Sequence, residues 1–151
     1  MFLRHSLCYM NNLNYWLCVT NEENWNIVKE KGIWGVPKKS KKQIESVKIG
    51  DQIVFYVIPK RISGIFEAIS NAFESQDILF KWDEFGRNEI FPYRIKIKPV
   101  YVAKQPVMID ALVPKLQFIK HKVIYSVHLR KAIQEIPKED FELIRKGLNK
   151  N

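Results

Sequence analysis

Residues 53–58 read Ile-Val-Phe-Tyr-Val-Ile, six apolar residues without a polar break. A strand with one wet face alternates apolar and polar side chains; an unbroken run predicts a strand buried on both faces, as inside a barrel. Gly50–Asp51 turns the chain into it and Pro59 ends it. "SGIFEAIS" (63–70) reads as its neighbour, joined by the short Pro-Lys-Arg link. "NYWLCVTN" (14–21) is a further short apolar run closed by turn formers. "FPYRIKIKPVYV" (91–102) alternates Tyr93, Ile95 and Ile97 with Arg94, Lys96 and Lys98, which predicts one apolar face and one cationic face.

Helices are expected between and after these strands. "EENWNIVKEK" (22–31) carries a capping Thr20 or Asn21 before it, Glu22 and Glu23 in its first turn, and Gly32 as its stop. "KQIESV" (42–47) predicts a short helix. Leu129, Ala132, Ile133 and Ile136 fall at i, i+3, i+4, i+7 and predict one C-terminal helix. Phe141, Ile144 and Leu148, behind Pro137, Glu139 and Asp140, predict a second. Residues 71–90 are weakly patterned and predict a long loop with a helical turn. The sum is an α+β fold, a small, mixed, curled sheet with helices on its outside or ends.

At 151 residues the chain is long enough for one domain with a real core. Residues 1–13 read as a leader, disordered or variable, with Met10 as an alternative start, and residues 14–151 as a single domain. No stretch approaches a membrane span. Cys8 and Cys18 form neither a disulfide framework nor a metal box, which fits a reducing cytoplasm. His5, His121 and His128 are scattered, so no metal or cofactor is expected. The net charge of +9 and the 13% aromatic content point toward nucleic acid as a partner.

Within "GIWGVPKKSKK" (32–42), Trp34 stands between two glycines and ahead of four lysines. Glycines leave room for other groups beside the indole, and a loop tryptophan next to cations suits base stacking. The competing expectation is that Trp34 plugs the sheet. Lys38, Lys39, Lys41 and Lys42, with the Arg94, Lys96 and Lys98 stripe, are candidate phosphate contacts. Asn21 and Asn24 can donate and accept together and so could read a base edge, although Asn21 also suits a helix cap. Gly-rich phosphate loops, HExxH, CxxC and nucleophile-elbow motifs are missing, and no enzyme activity is expected.

These residues also carry a family resemblance. "NYWLCVTNEENWNIVKEKGIWGVPKK" resembles the N-terminal signature of the EVE domain, within the PUA-like superfamily. "IGDQIVFYV", "GIFEAIS", "FPYRIKIKP" and "LQFIKHKVIYSVHLRKAIQEIPKEDFELI" continue it over about residues 14–147. The resemblance implies a PUA-like pseudo-barrel flanked by helices, and kinship with YTH domains that bind N6-methyladenine through an aromatic cage. By that match Trp34 is a cage wall, Asn24 contacts the base edge with Asn21 or Thr20 near it, and Gly35 stands where YTH domains carry a small polar residue. Trp82 is the candidate second wall, with Phe80 as its rival. Tyr125, Ser126 and His128 would complete the pocket, with Tyr125 in place of a tryptophan.

The expected function is recognition of a nucleobase, modified or not, in a single strand or flipped from a duplex, RNA or DNA. Two alternatives stay open. A hydrolase of the ASCH kind would use Ser126, His128 or Lys38 in the same pocket. A protein-interaction module would keep its tryptophans in the core.

Overall fold

In a computed structural model of the chain, residues 13–80 and 90–149 are described. The expected leader lies outside these residues apart from Leu13, as does Trp82. In chain order the elements are β1 (Tyr15–Thr20), α1 (Glu22–Lys31), β2 (Ile33–Val36), α2 (Lys41–Glu45), β3 (Gln52–Val57), β4 (Arg61–Ala68), β5 (Phe73–Glu74), β6 (Tyr93–Met108), β7 (Ile133–Ile136) and α3 (Lys138–Asn149). The strands form one curled mixed sheet in the order β2-β6-β4-β3-β1-β7, with β5 on β6. β1 and β3 run parallel, while the other pairs are antiparallel.

The apolar run behaves as expected of a doubly buried strand over residues 53–57, while Ile58 lies past the strand and is exposed. Ile53, Phe55 and Val57 face one hydrophobic cluster, and Val54 and Tyr56 face another. The first cluster holds Trp16, Cys18, Trp25, Trp34, Phe66 and Ile95. The second holds Leu17, Val19, Ile65, Ile109, Leu116, Phe141, Ile144 and Leu148. α1 covers the first cluster and α3 the second.

The docking of α1 fixes the residues around it. Asn21 caps the helix, its Oδ1 accepting from the Asn24 N–H at 2.7 Å. Gly32 stops it in the left-handed region, φ 66°, with its N–H on the Val28 carbonyl. Trp25 packs between Phe55 and Phe66, with ring centroids 5.4 and 5.7 Å away. A Cβ on Gly64 would lie 2.9 Å from the Trp25 ring, so glycine there admits the indole.

Two expectations are corrected. Residues 129–136 are not a helix; Ile133–Ile136 is β7, antiparallel to β1. Ile133 faces the first cluster and Ile136 the second. A three-residue spacing of apolar side chains therefore served two cores from one strand and imitated a helical stripe. The segment after Ala68 contains the short strand β5, and its part over residues 81–89 lies outside the described residues.

Burial pushes the Cys18 thiol well above its ordinary value, with the Trp34 indole N–H opposing the shift. A buried neutral thiol is a poor nucleophile. Cys18 is therefore expected to resist iodoacetamide in native protein and to react only on unfolding, which peptide mass mapping of labelled Cys18 would check.

Candidate functional site

Trp34 is not on an exposed loop. It lies in β2, a strand at the sheet edge, and is 1% exposed. Its register partner is Ile95 on β6, and its ring meets Phe55 edge-on at 5.5 Å and Phe80 at 5.6 Å. The glycine signal was sound in its physics, since Gly35 does leave room for other groups. Those groups belong to the protein. A Cβ on Gly35 would fall 2.7 Å from the Phe91 carbonyl oxygen and 2.8 Å from a Phe80 ring carbon.

Three polar residues share this region. Thr20 is fully buried at the end of β1, and alternation puts it on the same strand face as Cys18. Its cross-strand partner Val57 belongs to the same cluster as Trp34. Asn24 is fully buried on the inner side of α1. The Trp34 indole N–H is directed to the Cys18 sulfur, a weak acceptor, too loosely for a hydrogen bond. Among the described residues neither Thr20 Oγ1 nor Trp34 Nε1 has a hydrogen-bond partner. An unsatisfied buried polar group costs about 1–3 kcal/mol, so two in one region call for an explanation.

Arg94 corrects a second expectation. It is 1% exposed and cannot belong to a solvent-facing stripe. Opposite Gly35 in the β2–β6 ladder, its side chain is covered by the segments on either side of residues 81–89. Its Nε donates to the Phe91 carbonyl at 3.1 Å, and its Nη2 to the carbonyls of Ile90 at 3.3 Å and Asp77. Its guanidinium lies 5.5 Å from the Phe80 ring centroid. Burial lowers its pKa, and the Asp77 carboxylate acts the other way. The chain enters β6 through Phe91 at φ 53°, a left-handed conformation that is uncommon for a bulky residue.

The other cations remain at the surface. Lys38, Lys39, Lys41 and Lys42 are exposed on the turn and helix after β2. Lys41 Nζ stands 5.4 Å over the Tyr93 ring, which ties this group to β6. Lys96 is exposed on β6, while Lys98 pairs with Glu67 at 3.4 Å. The lysines that follow Trp34 in sequence thus stay beside its strand in space.

Tyr125, Ser126 and His128 do not join Trp34. They form a 3-10 turn, and Tyr125 packs against the second cluster, across the sheet from Trp34. The Tyr125 hydroxyl donates to Asp110, whose hydrogen bond raises the phenol's pKa. His128 Nε2 accepts the His121 N–H at 3.0 Å, and Ser126 is exposed. An open cleft of 540 Å³ between Leu13, Asn14, Tyr15 and Glu135–Lys138 lies at the far end of β1 from Thr20. Neither Trp34 nor Asn24 lines it.

Sequence reasoning missed Phe80 as more than a rival wall and Arg94 as a buried anchor. The signal available for Arg94 was Gly35: a glycine in an edge strand marks a close approach from its neighbour.

Comparison with known proteins gives a consistent result. The EVE domain family model matches residues 14–147. A UPF0310 protein of Pyrococcus abyssi is 42% identical over 142 residues, covering 87% of this chain and 97% of that protein. A UPF0310 protein of Pyrococcus horikoshii is 39% identical over 147 residues, covering 90% and 99%. The fold is similar to that of an Agrobacterium tumefaciens protein, with a TM-score of 0.62, 21% identity, and 89% and 92% of the two chains covered. It is also similar to the YTH domain of a Zygosaccharomyces rouxii protein, solved in complex with N6-methyladenosine RNA. There the TM-score is 0.64 at 22% identity, with 89% of this chain and 86% of that one covered. The curled sheet and its three helices thus have the YTH and PUA-like architecture, and the chain belongs to the EVE domain family.

Proposed function

We propose that this protein is a nucleic-acid-binding module that takes one nucleobase against Trp34, with Thr20, Asn24 and the Gly35 backbone reading its edge. The observation that carries the reading is the pair of partnerless buried groups, the Thr20 hydroxyl and the Trp34 indole N–H, beside a fully buried Asn24. One acceptor and one donor held ready in an apolar surround suit a heterocycle that offers both. The exposed lysines after β2 and on β6 suit a phosphate backbone leading to the same place. The likeness in fold to a YTH domain solved with N6-methyladenosine RNA supports the choice of partner class.

Stacking would supply affinity, about 1–3 kcal/mol per base. Extrusion from a duplex costs a few kcal/mol, which favours a base already unpaired. Binding is favoured over chemistry because Ser126 and His128 belong to the turn of Tyr125, across the sheet from Trp34, with the His128 Nε2 already engaged, which leaves Lys38 as the one named candidate beside β2. An acid or base must lie within hydrogen-bond reach of its reacting atom.

The test is titration with adenosine, N6-methyladenosine, the other plain nucleosides and short oligonucleotides, using wild type, Thr20→Val and Asn24→Ala. Thr20→Val keeps the shape and removes the orphaned hydroxyl. Its expected signature is a gain of about 1 kcal/mol in stability with a loss of at least tenfold in affinity. Lower stability with unchanged affinity would return the hydroxyl to a structural role. Trp34→Phe runs alongside, because truncating so buried a ring to alanine would cost about 3–5 kcal/mol and confuse the result.

A further inference from the structure

Phe80 packs against the buried Trp34 ring. The two rings meet at 71° with centroids 5.6 Å apart, which leaves no room for a third ring between them. Phe80 is itself 2% exposed. It touches the place where a Gly35 side chain would begin, 2.8 Å from that ideal Cβ. The Arg94 guanidinium stands over its ring, 5.5 Å from the centroid. Phe80 belongs to the same cluster as Trp34, while Ile78, two residues before it, is 80% exposed, so the chain passes from solvent to this ring within two residues.

We propose that Phe80 is an internal plug, an aromatic ring of the chain's own that occupies the Trp34 face and must swing away before a ligand can enter. The proposal rests on the base-binding reading for the identity of the ligand, but the occlusion itself is independent of it. Arg94 is the latch. Its three carbonyl contacts, to Asp77, Ile90 and Phe91, hold the chain on both sides of Phe80 against β6. Among the described residues no carboxylate lies within ion-pair distance of this cation. Among the described residues its hold on Phe80 is made of carbonyl hydrogen bonds and a ring face, with the Asp77 carboxylate acting on the cation from farther off, and such contacts can be exchanged one by one.

A plug has a defined thermodynamic signature. A ligand that binds only the open form has its affinity reduced by the fraction of molecules that are open. Removing the plug makes that fraction close to one, so affinity rises although a contact has been deleted. A wall residue behaves oppositely, since its loss weakens binding. A simple core residue leaves a dry apolar void when truncated.

The test uses the full chain labelled with 5-fluorotryptophan, the Trp34 signal being assigned by its loss in Trp34→Phe. The fluorine solvent isotope shift between H2O and D2O reports whether water reaches the ring. Wild type is expected to show little shift at Trp34. Phe80→Ala is expected to show the shift of an exposed indole while keeping a cooperative melt. Its affinity for the nucleoside that wild type binds best should rise about tenfold or more. Arg94→Lys, which keeps the charge but loses the planar fork, should move both readouts in the same direction and covers the case in which Phe80→Ala fails to fold. A Trp34 signal that stays dry in both variants overturns the plug, as does a wet signal with weakened binding. A wet signal with no nucleoside bound by any variant upholds the plug and removes the base from the account.

Discussion

Asp51→Ala is expected to lower folding stability by about 3 kcal/mol, because it strands one buried and two partly buried donors at once. Asp51 is fully buried. Its Oδ1 accepts the Asn14 N–H at 3.0 Å, and its Oδ2 accepts the Trp16 indole N–H at 3.0 Å and the Lys48 N–H at 2.8 Å. No lysine or arginine pairs with it among the described residues. The carboxylate therefore ties the entry of β1 to the turn that starts β3. These are the two parallel strands, which no hairpin can register. Asp51→Asn keeps one acceptor and turns an amide N–H2 toward donors, so it should lose nearly as much. Urea unfolding checks this through the midpoint at constant slope. A loss below about 1 kcal/mol would mean that water replaces the carboxylate. Against a typical total of 5–15 kcal/mol, the expected loss is large enough to leave a marginal protein.

Much of the sheet was legible because its strongest signals are local. Residues 53–57 are apolar on both sides because two separate cores flank them. The helix over 22–31 is bounded by an asparagine cap and a left-handed glycine, both of which act within one turn of chain. Where reading failed, the deciding contact came from far along the chain. β7 resembled a helix because Ile133 and Ile136 serve opposite faces, and only pairing with β1 separates the two cases. Arg94 fell in perfect alternation with Lys96 and Lys98, yet it is buried because Phe80 and the Asp77 carbonyl come to meet it from another segment.

The candidate site divides along the same line. Thr20, Asn24 and Trp34 stand within fifteen residues of one another in sequence, and β1, α1 and β2, which carry them, all contribute to one hydrophobic cluster, although β6, β4 and β3 separate β2 from β1 in the sheet. Tyr125, Ser126 and His128 arrive from a distant turn on the opposite side of the sheet. The sequence carries no signal for which side of a doubly buried strand a later loop will cover. Two expectations stood for Trp34, a stacking ring opened by its glycines and a plug of the sheet, and the buried ring meets the second. Free space next to a large ring is usually filled, at the packing density of protein interiors, and here Phe80 fills it.

Gly35→Ala is the substitution that probes this filled space most directly, and it is expected to cost about 3 kcal/mol or slightly more. The new methyl would stand 2.7 Å from the Phe91 carbonyl oxygen, 2.8 Å from the Phe80 ring and 3.1 Å from Arg94 Cγ. The ring can turn away, but the carbonyl is backbone and accepts the Arg94 Nε–H, so β2 or the entry to β6 has to shift. The methyl thus pushes on plug and latch together, and the clash can be divided with a double mutant. If Phe80 is one of the two main obstacles, the cost of Gly35→Ala measured in a Phe80→Ala background should shrink by about 1 kcal/mol, within the usual range for residues in contact. The remainder belongs to the Phe91 carbonyl and persists. Strict additivity within about 0.5 kcal/mol would mean that the ring yields freely, and that the backbone alone makes glycine necessary after Trp34. In either case thermal unfolding of the four proteins separates a mobile cover from a fixed one, because a loosely held ring cannot exact an energetic penalty from the methyl beside it.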